Sequence, residues 1–286
     1  MDYGIGIPSY IDAWREVQAA EEAGFTYAWF YDSQLIYSDV YATMALAAEH
    51  TNRIKLGTLV AIPSNRIAPV TASAIATINK LAPGRVILAM GTGYTGRNTM
   101  GLPAITLKEL REYTLQIQGL LQGEDVLFRE GEKERWIRLM HADKEEFINI
   151  KDPISVYIAA NGPRGQEVVG ELADGWVTTL RIQRSLDPEI ATICGAAGRA
   201  GRSTEKPYIV ALSFGCFLRD GESLDSERVM ARVGPSLVPG LHAQWEAGFG
   251  PGANLGMRPD AEMADAFNTY IQGYAEVNGT ASDRLY

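Results

Sequence analysis

The residues of this chain best suited to chemistry gather where an apolar run gives way to a polar or glycine-rich turn. The stretch Arg85–Pro103 is the clearest case: Val86–Met90 is apolar, and Gly91, Gly93, Gly96 and Gly101 follow within eleven residues. Glycines after a buried strand let backbone N–H groups approach a ligand, usually an anionic one. Gly91-x-Gly93-x-x-Gly96 spells the dinucleotide fingerprint, but that motif belongs in a first βα turn with its helix opening inside it. Here three strand–helix units precede it, and the next helix is predicted to start only at Thr106, where Thr106 and Glu109 form a capping-box pattern. The alternative is the exit of a fourth barrel strand, at the face where barrel active sites lie.

Asn161-Gly162-Pro163-Arg164 follows another apolar run and opens a helix with proline at its first position. Free N–H groups and the helix dipole beside a guanidinium suit a phosphate; an ordinary proline-started helix with a surface arginine is the plainer reading. Asp32-Ser33-Gln34 ends the second predicted strand, where Asp32 could exchange a proton or hold a substrate group, cap a helix or pair with a loop cation. Ile62-Pro63-Ser64-Asn65-Arg66 ends the third, with Ser64 or Asn65 as a helix cap or a cofactor contact. His50 reads as a favourable charge at a helix end, His141 lies in a charged stretch, and His242 alone has a glycine-rich setting that could face a site. No pair has metal-ligand spacing, so no metal is expected. Without a nucleophile elbow or a Cys/His dyad, demanding chemistry would have to come from a cofactor.

The elements that would position these residues alternate. Strands are predicted at Tyr3–Ile7, Thr26–Tyr31, Ile54–Ala61 and Arg85–Met90, with helices at Tyr10–Ala23, Ser38–His50, Asn65–Leu81 and Thr106–Leu121. Apolar strands separated by single helices mean parallel βαβ units covered on both faces, at the spacing of a (β/α)8 TIM barrel. Residues 124–152 break this rhythm. Fifteen of the 29 are charged, which predicts a solvent-facing insertion, either a hairpin folded over the barrel top or an excursion with no role. The alternation resumes with strands at Ile154–Ala160, Gly175–Thr179 and Tyr208–Phe217 and helices at Pro163–Ala173, Leu186–Ala200 and Leu224–Val233. A Gly/Pro-rich loop (234–258) and a last helix over Pro259–Val277 follow. Seven strands are found, so the single barrel domain (1–286) is expected to lack its eighth-strand unit: either the chain is shortened at its C-terminus, the favoured reading, or a partner or an irregular segment closes the barrel.

A net charge of −9 argues against nucleic acid or an acidic membrane surface as the main partner and says nothing more specific. Cys194 and Cys216 show no pairing pattern, and no signal peptide or membrane span is read, so the expected location is cytoplasmic.

Five stretches resemble the luciferase-like monooxygenase superfamily. They are AEEAGFTYAWFYDSQ (20–34), DVYATMALAAEHTNRIKLGT (39–58), PSNRIAPVTASAIATINKLAPGRVILAMGTG (63–93), GLPAITLKELREY (101–113) and VYIAANGPRGQEVVGELADGWV (156–177). Within it the chain is most similar to the methylenetetrahydromethanopterin-reductase-like branch. The resemblance implies a barrel oxidoreductase, a homodimer, that moves a hydride between coenzyme F420 and a small organic substrate. FMN-dependent monooxygenation is the alternative, and a non-catalytic flavin-binding barrel or inactive fragment a third. It implies cofactor contacts from Gly91, Thr92 and Gly93 and from Asn161, Gly162, Pro163 and Arg164; Asp32 and Ser33, by their place at the end of the second strand, are the candidates for substrate or proton contacts. It also implies a cis peptide between Leu59 and Val60, forming a bulge behind the ring. Two departures stand out. Tyr94 follows Gly-Thr-Gly where relatives often carry an acidic or small polar residue, and Leu59 stands where they often have glycine.

Overall fold

Strands that are apolar on both faces need cover on both, and here helices supply it outside while side chains fill the inside. The computed structural model describes residues 1–144, 146–179 and 185–234, together with Asp265 and Thr269. Met1–Arg97 with Pro103–Leu212 form one compact unit, and Asn98–Leu102 with Ser213–Tyr286 a second.

In the first unit, β1 (Gly4–Ile7), β2 (Tyr27–Phe30), β3 (Lys55–Thr58) and β4 (Val86–Met90) alternate with α1 (Trp14–Glu22), α2 (Val40–His50) and α3 (Ala68–Leu81). The short α4 (Tyr94–Asn98) and the long α5 (Leu107–Leu121) follow, then the strands β5 (Val126–Glu130) and β6 (Lys133–Ile137). The alternation continues through β7 (Ser155–Ala159), α6 (Pro163–Leu172), β8 (Gly175–Thr179), α7 (Asp187–Arg199) and β9 (Tyr208–Leu212). One parallel sheet runs β1-β2-β3-β4-β7-β8-β9. All seven predicted barrel strands are present, the last ending at Leu212 rather than Phe217. The barrel is nearly closed. The Tyr208 ring on β9 lies 5.7 Å from Tyr27 on β2, and its hydroxyl donates to Asp2 Oδ2 at 2.8 Å. No eighth barrel strand occurs among the described residues. His242, residues 235–258 and most of 259–277 lie outside them, with Asp265 and Thr269 helical.

Alternation sorts the strand side chains into two cores. Ile7, Phe30, Leu56, Leu88, Ile158 and Trp176 face the helix layer. Tyr27, Trp29, Ile87, Ala89, Tyr157 and Val177 fill the barrel interior. The Trp29 indole lies across its neighbours: a Cβ on Gly57 would come 2.3 Å from its ring, and one on Gly4 2.9 Å. Glycine on β1 and β3 therefore makes room for tryptophan on β2, which closes the lower barrel.

At the opposite end from the strand exits, Glu21 organises the start of β3. Its buried carboxylate accepts from the backbone N–H groups of Asn52 (3.0 Å), Arg53 (2.6 Å) and Ile54 (2.8 Å). Burial works to raise its pKa, but those three bonds and the Arg53 charge outweigh it and hold the carboxyl below its ordinary value. A depressed folded pKa means stability present above the ordinary carboxylate range and lost as pH falls through the folded value. Glu21→Gln should accordingly cost about 1–2 kcal/mol at neutral pH and progressively less in acid. Chemical denaturation at pH 7 and pH 3.5 checks this; an equal loss at both would refute it.

The charged insertion is a hairpin, β5 paired antiparallel with β6, but it does not cover the barrel top. Helix α5 leaves the strand-exit end and runs back, so its C-terminus, and the hairpin after it, lie at the other end. Gln116 Nε2 donates to Leu127 O there (3.1 Å), and the cap of residues 149–152 is tied to Asn79 near the end of α3. Of the two alternatives for this insertion, the hairpin folded over the barrel top is thus excluded by helix direction alone.

Candidate active site

The exits of β2, β3, β4 and β7 meet at the C-terminal mouth of the barrel. After β3 the Leu59–Val60 peptide is cis, as the resemblance implied. Leu59 N–H donates to Phe30 O (2.6 Å) and Ala61 N–H to Ala89 O (2.8 Å), so this bulge is stitched to β2 and β4. Leu59 and Val60 pack against the interior cluster beside Ala159 of β7, giving the mouth an apolar lining.

The glycine turn after β4 lies on this bulge. A Cβ on Gly91 would meet Val60 Cγ2 at 2.8 Å, and Gly93, with φ +79°, would meet Ile62 Cγ2 at 2.5 Å. A Cβ on Gly96 would lie 2.6 Å from Ile62 Cδ1. Gly91 N–H donates to Ala61 O (3.1 Å), and Thr92 O accepts from Ile105 N–H (3.0 Å). Close packing of one loop on another therefore accounts for these glycines within the protein itself. The main helix does begin late, with Thr106 as N-cap of a complete capping box. The five-residue α4 nevertheless opens inside the glycine motif, so the delayed helix is only half right. What excludes the dinucleotide topology is the motif's place as fourth exit in a barrel sheet.

Asp32 lies at the β2 exit, 6% exposed. Its Oδ2 accepts from Ile62 N–H (3.2 Å) and from Arg66 Nη1 (3.4 Å). Arg66 also donates through Nη2 to Asp39 Oδ2, and its guanidinium lies 4.8 Å over the Tyr41 ring. Asp39 caps α2, its Oδ1 accepting from Tyr41 and Ala42 N–H at 3.0 Å each. Burial raises the Asp32 pKa against the opposing pull of Arg66 and the Ile62 bond. Asp32 is thus both salt-bridged and readier than an ordinary aspartate to hold a proton. Neighbouring Ser33 is partly buried, and its carbonyl accepts from Tyr37 N–H (3.0 Å). Gln34 ties three exits together, donating to Gly96 O (2.6 Å) and accepting from Asn65 Nδ2 (2.7 Å). The N-cap of α3 is Ile67, so neither Ser64 nor Asn65 caps it. Arg66 and Asp39 escaped sequence reading as a pair, because 27 residues separate them.

After β7, Asn161, Gly162, Pro163 and Arg164 are exposed, and Gly162 caps α6 without any side-chain cap bond. The turn is held from beneath by Trp176 Nε1 donating to Ala160 O (2.7 Å) and Gln166 Nε2 to Asn161 O (3.1 Å). A cavity of 330 Å³ opens beside it, lined by Asn161, Pro163, Gln166, Trp176, Thr178 and Thr192. The structure therefore gathers the β2, β3 and β4 exits into one bonded set. The α6 N-terminus stands at the β7 exit with its first turn open to solvent. No cluster of three metal-ligating side chains occurs among the described residues. None of the helices among them is long and apolar enough to cross a membrane. His50 stacks on Trp14 at 4.0 Å and its Nδ1 lies 2.8 Å from Leu46 O, at the helix end and away from the site.

A parallel barrel with its polar and glycine-rich exits at the C-terminal mouth is the architecture of a (β/α)-barrel enzyme. A profile of the luciferase-like monooxygenase family matches residues 3–248, and the chain belongs to that family. It is 31% identical over 229 residues to 5,10-methylenetetrahydromethanopterin reductase of Methanolobus tindarius, covering 77% of this chain and 63% of the relative. It is 35% identical over 164 residues to an F420-dependent glucose-6-phosphate dehydrogenase of Nakamurella multipartita, covering 54% of this chain and 47% of that protein. The chain thus spans less than two thirds of these relatives' length. Among solved structures, the coenzyme F420 dependent tetrahydromethanopterin reductase of Methanopyrus kandleri superposes with a TM-score of 0.67 at 23% identity, over 99% of this chain and 82% of that one.

Proposed function

We propose that this chain is an oxidoreductase that transfers a hydride between coenzyme F420 and a small organic substrate. The observation that carries the reading is that relatives of different substrate class, a pterin reductase and a sugar-phosphate dehydrogenase, share F420 dependence in their names. The mouth fits such a group. Leu59, Val60 and Ala159 offer an apolar wall for a flat ring, backed by the turn at Gly91, Thr92 and Gly93. The open first turn of α6, with Asn161, Gly162, Pro163 and Arg164, suits a phosphate-bearing tail. When bound, the deazaflavin supplies the hydride chemistry. The chain's own part is to hold the ring against the bulge, exclude water and keep a proton-holding group at the rim. Asp32 serves as that group, with Ser33 beside it for substrate contact.

Titrating the protein with F420 and with FMN, followed by fluorescence and absorbance, tests the reading. Retention of F420 supports it; retention of FMN alone moves the chain to the monooxygenase alternative, and retention of neither removes both. Arg164→Ala should weaken the retained cofactor about tenfold, the scale of one charge-assisted contact. Unchanged affinity would put the phosphate elsewhere.

A further inference from the structure

We infer that the Tyr31 hydroxyl is the hydrogen-bond donor that the barrel mouth presents to the ring ligand, toward a carbonyl-type acceptor of the pyrimidinedione edge that deazaflavin and flavin share. The inference rests on the ring-binding reading above and adds to it a residue outside the turns already described.

The placement follows from strand alternation. Tyr27 and Trp29 point into the barrel, and Tyr31, two residues further and just past the end of β2, continues that column into the mouth. Its direction is set by β1. A Cβ built on Gly6 would lie 2.6 Å from Tyr31 Oη and 3.2 Å from Cζ, so the phenol stands over Gly6 on the inner face. Its backbone is fixed by Tyr31 N–H donating to Ile7 O (3.2 Å) and Ser9 Oγ donating to Tyr31 O (2.7 Å). The ring is braced by Tyr37 at a centroid distance of 5.8 Å. The hydroxyl itself has no hydrogen-bond partner among the described residues. Asp32 and Gln34, the neighbouring polar groups, are both bonded to other loops. A half-buried polar group at a site, oriented by packing and unmatched within the protein, gains most from a ligand acceptor. Burial, with Tyr37 adding to it, also raises the phenol's pKa, so it stays a donor at physiological pH.

Tyr31→Phe tests this by affinity, without turnover. With F420 as probe, fluorescence titration should show binding weakened about 3- to 10-fold, the net worth of one hydrogen bond, and an unchanged melting temperature. Gly6→Ala, whose new methyl would displace the hydroxyl, should weaken binding similarly in the wild-type background and add little to Tyr31→Phe. Equal affinity of wild type and Tyr31→Phe for F420 would overturn the inference while leaving the cofactor reading intact. A loss of affinity accompanied by a melting temperature several degrees lower would also overturn it, since the hydroxyl would then be holding the protein. If FMN is the cofactor retained, the same comparison applies to FMN, because the acceptor edge is common to both. Retention of neither by the wild type removes this inference together with the cofactor reading.

Discussion

Replacing Arg66 with alanine is expected to destabilise the protein by about 2–4 kcal/mol at neutral pH, somewhat below the cost of breaking a fully buried pair. The reason is the company it leaves. Asp32 is nearly inaccessible, and without Arg66 it keeps the single bond from Ile62 N–H, whereas Asp39 is half exposed and retains its two cap bonds. The loss should also depend on pH in a definite direction. Burial already lifts the folded Asp32 pKa above its ordinary value, and removing the guanidinium removes the main force opposing that lift. A raised folded pKa means that the folded state binds the extra proton, so stability falls as pH rises from the ordinary carboxylate range through the folded value. The deficit of Arg66→Ala should therefore be small near pH 4 and grow towards neutrality. Asp32→Asn in the same background should recover part of it by removing the unpaired charge. Urea denaturation across that range is the measurement. A deficit below about 0.5 kcal/mol, or one flat with pH, would mean that solvent rather than Arg66 satisfies Asp32. Because Asp32 and Arg66 join the β2 exit to the segment after the cis peptide, cofactor affinity should fall along with stability.

Gly170→Ala should be comparably severe for a steric reason. Helices α6 and α7 cross where Gly170 faces the backbone of α7, and an added Cβ would lie 2.2 Å from Ile193 O and 2.9 Å from Ala197 N. A flexible side chain could move aside, but these are backbone atoms in the middle of a helix. The helices must separate, opening a poorly packed seam, and overpacking of this kind costs about 1–3 kcal/mol or more. Alanine's better helix propensity returns at most about 1 kcal/mol. A net loss of about 1–2 kcal/mol or more in urea denaturation is expected, and, on the phosphate assignment proposed above, weaker cofactor binding, since α6 carries Asn161–Arg164 at its head. A neutral substitution would show that α7 can shift freely against α6.

Much of this architecture can be read along the chain because its causes are local. Apolar runs with capped helices between them identify all seven barrel strands, and Thr106 with Glu109 marks the start of α5 to the residue. The charged composition of 124–152 identifies an excursion from the barrel, since a core cannot absorb fifteen charges. The family resemblance, carried by those same stretches, supplied the Leu59–Val60 cis peptide.

Relations between exits lay beyond it. Asp32 meets Arg66, and Tyr31 stands over Gly6, only because parallel register brings β1, β2 and β3 side by side at the same height. Residue type states what Asp32 can do, but its partner is chosen 34 positions further along the chain. The glycines after β4 show the same limit. Their spacing suggests a ligand, whereas the direction of each missing Cβ, toward Val60 and Ile62, is a property of two packed loops. The sequence determined which segments are strands, which are helices and where the chain turns. Only the tertiary structure decided which exits share the mouth, which of their polar groups are already engaged, and that the hairpin lies at the far end, because those follow from register and helix direction.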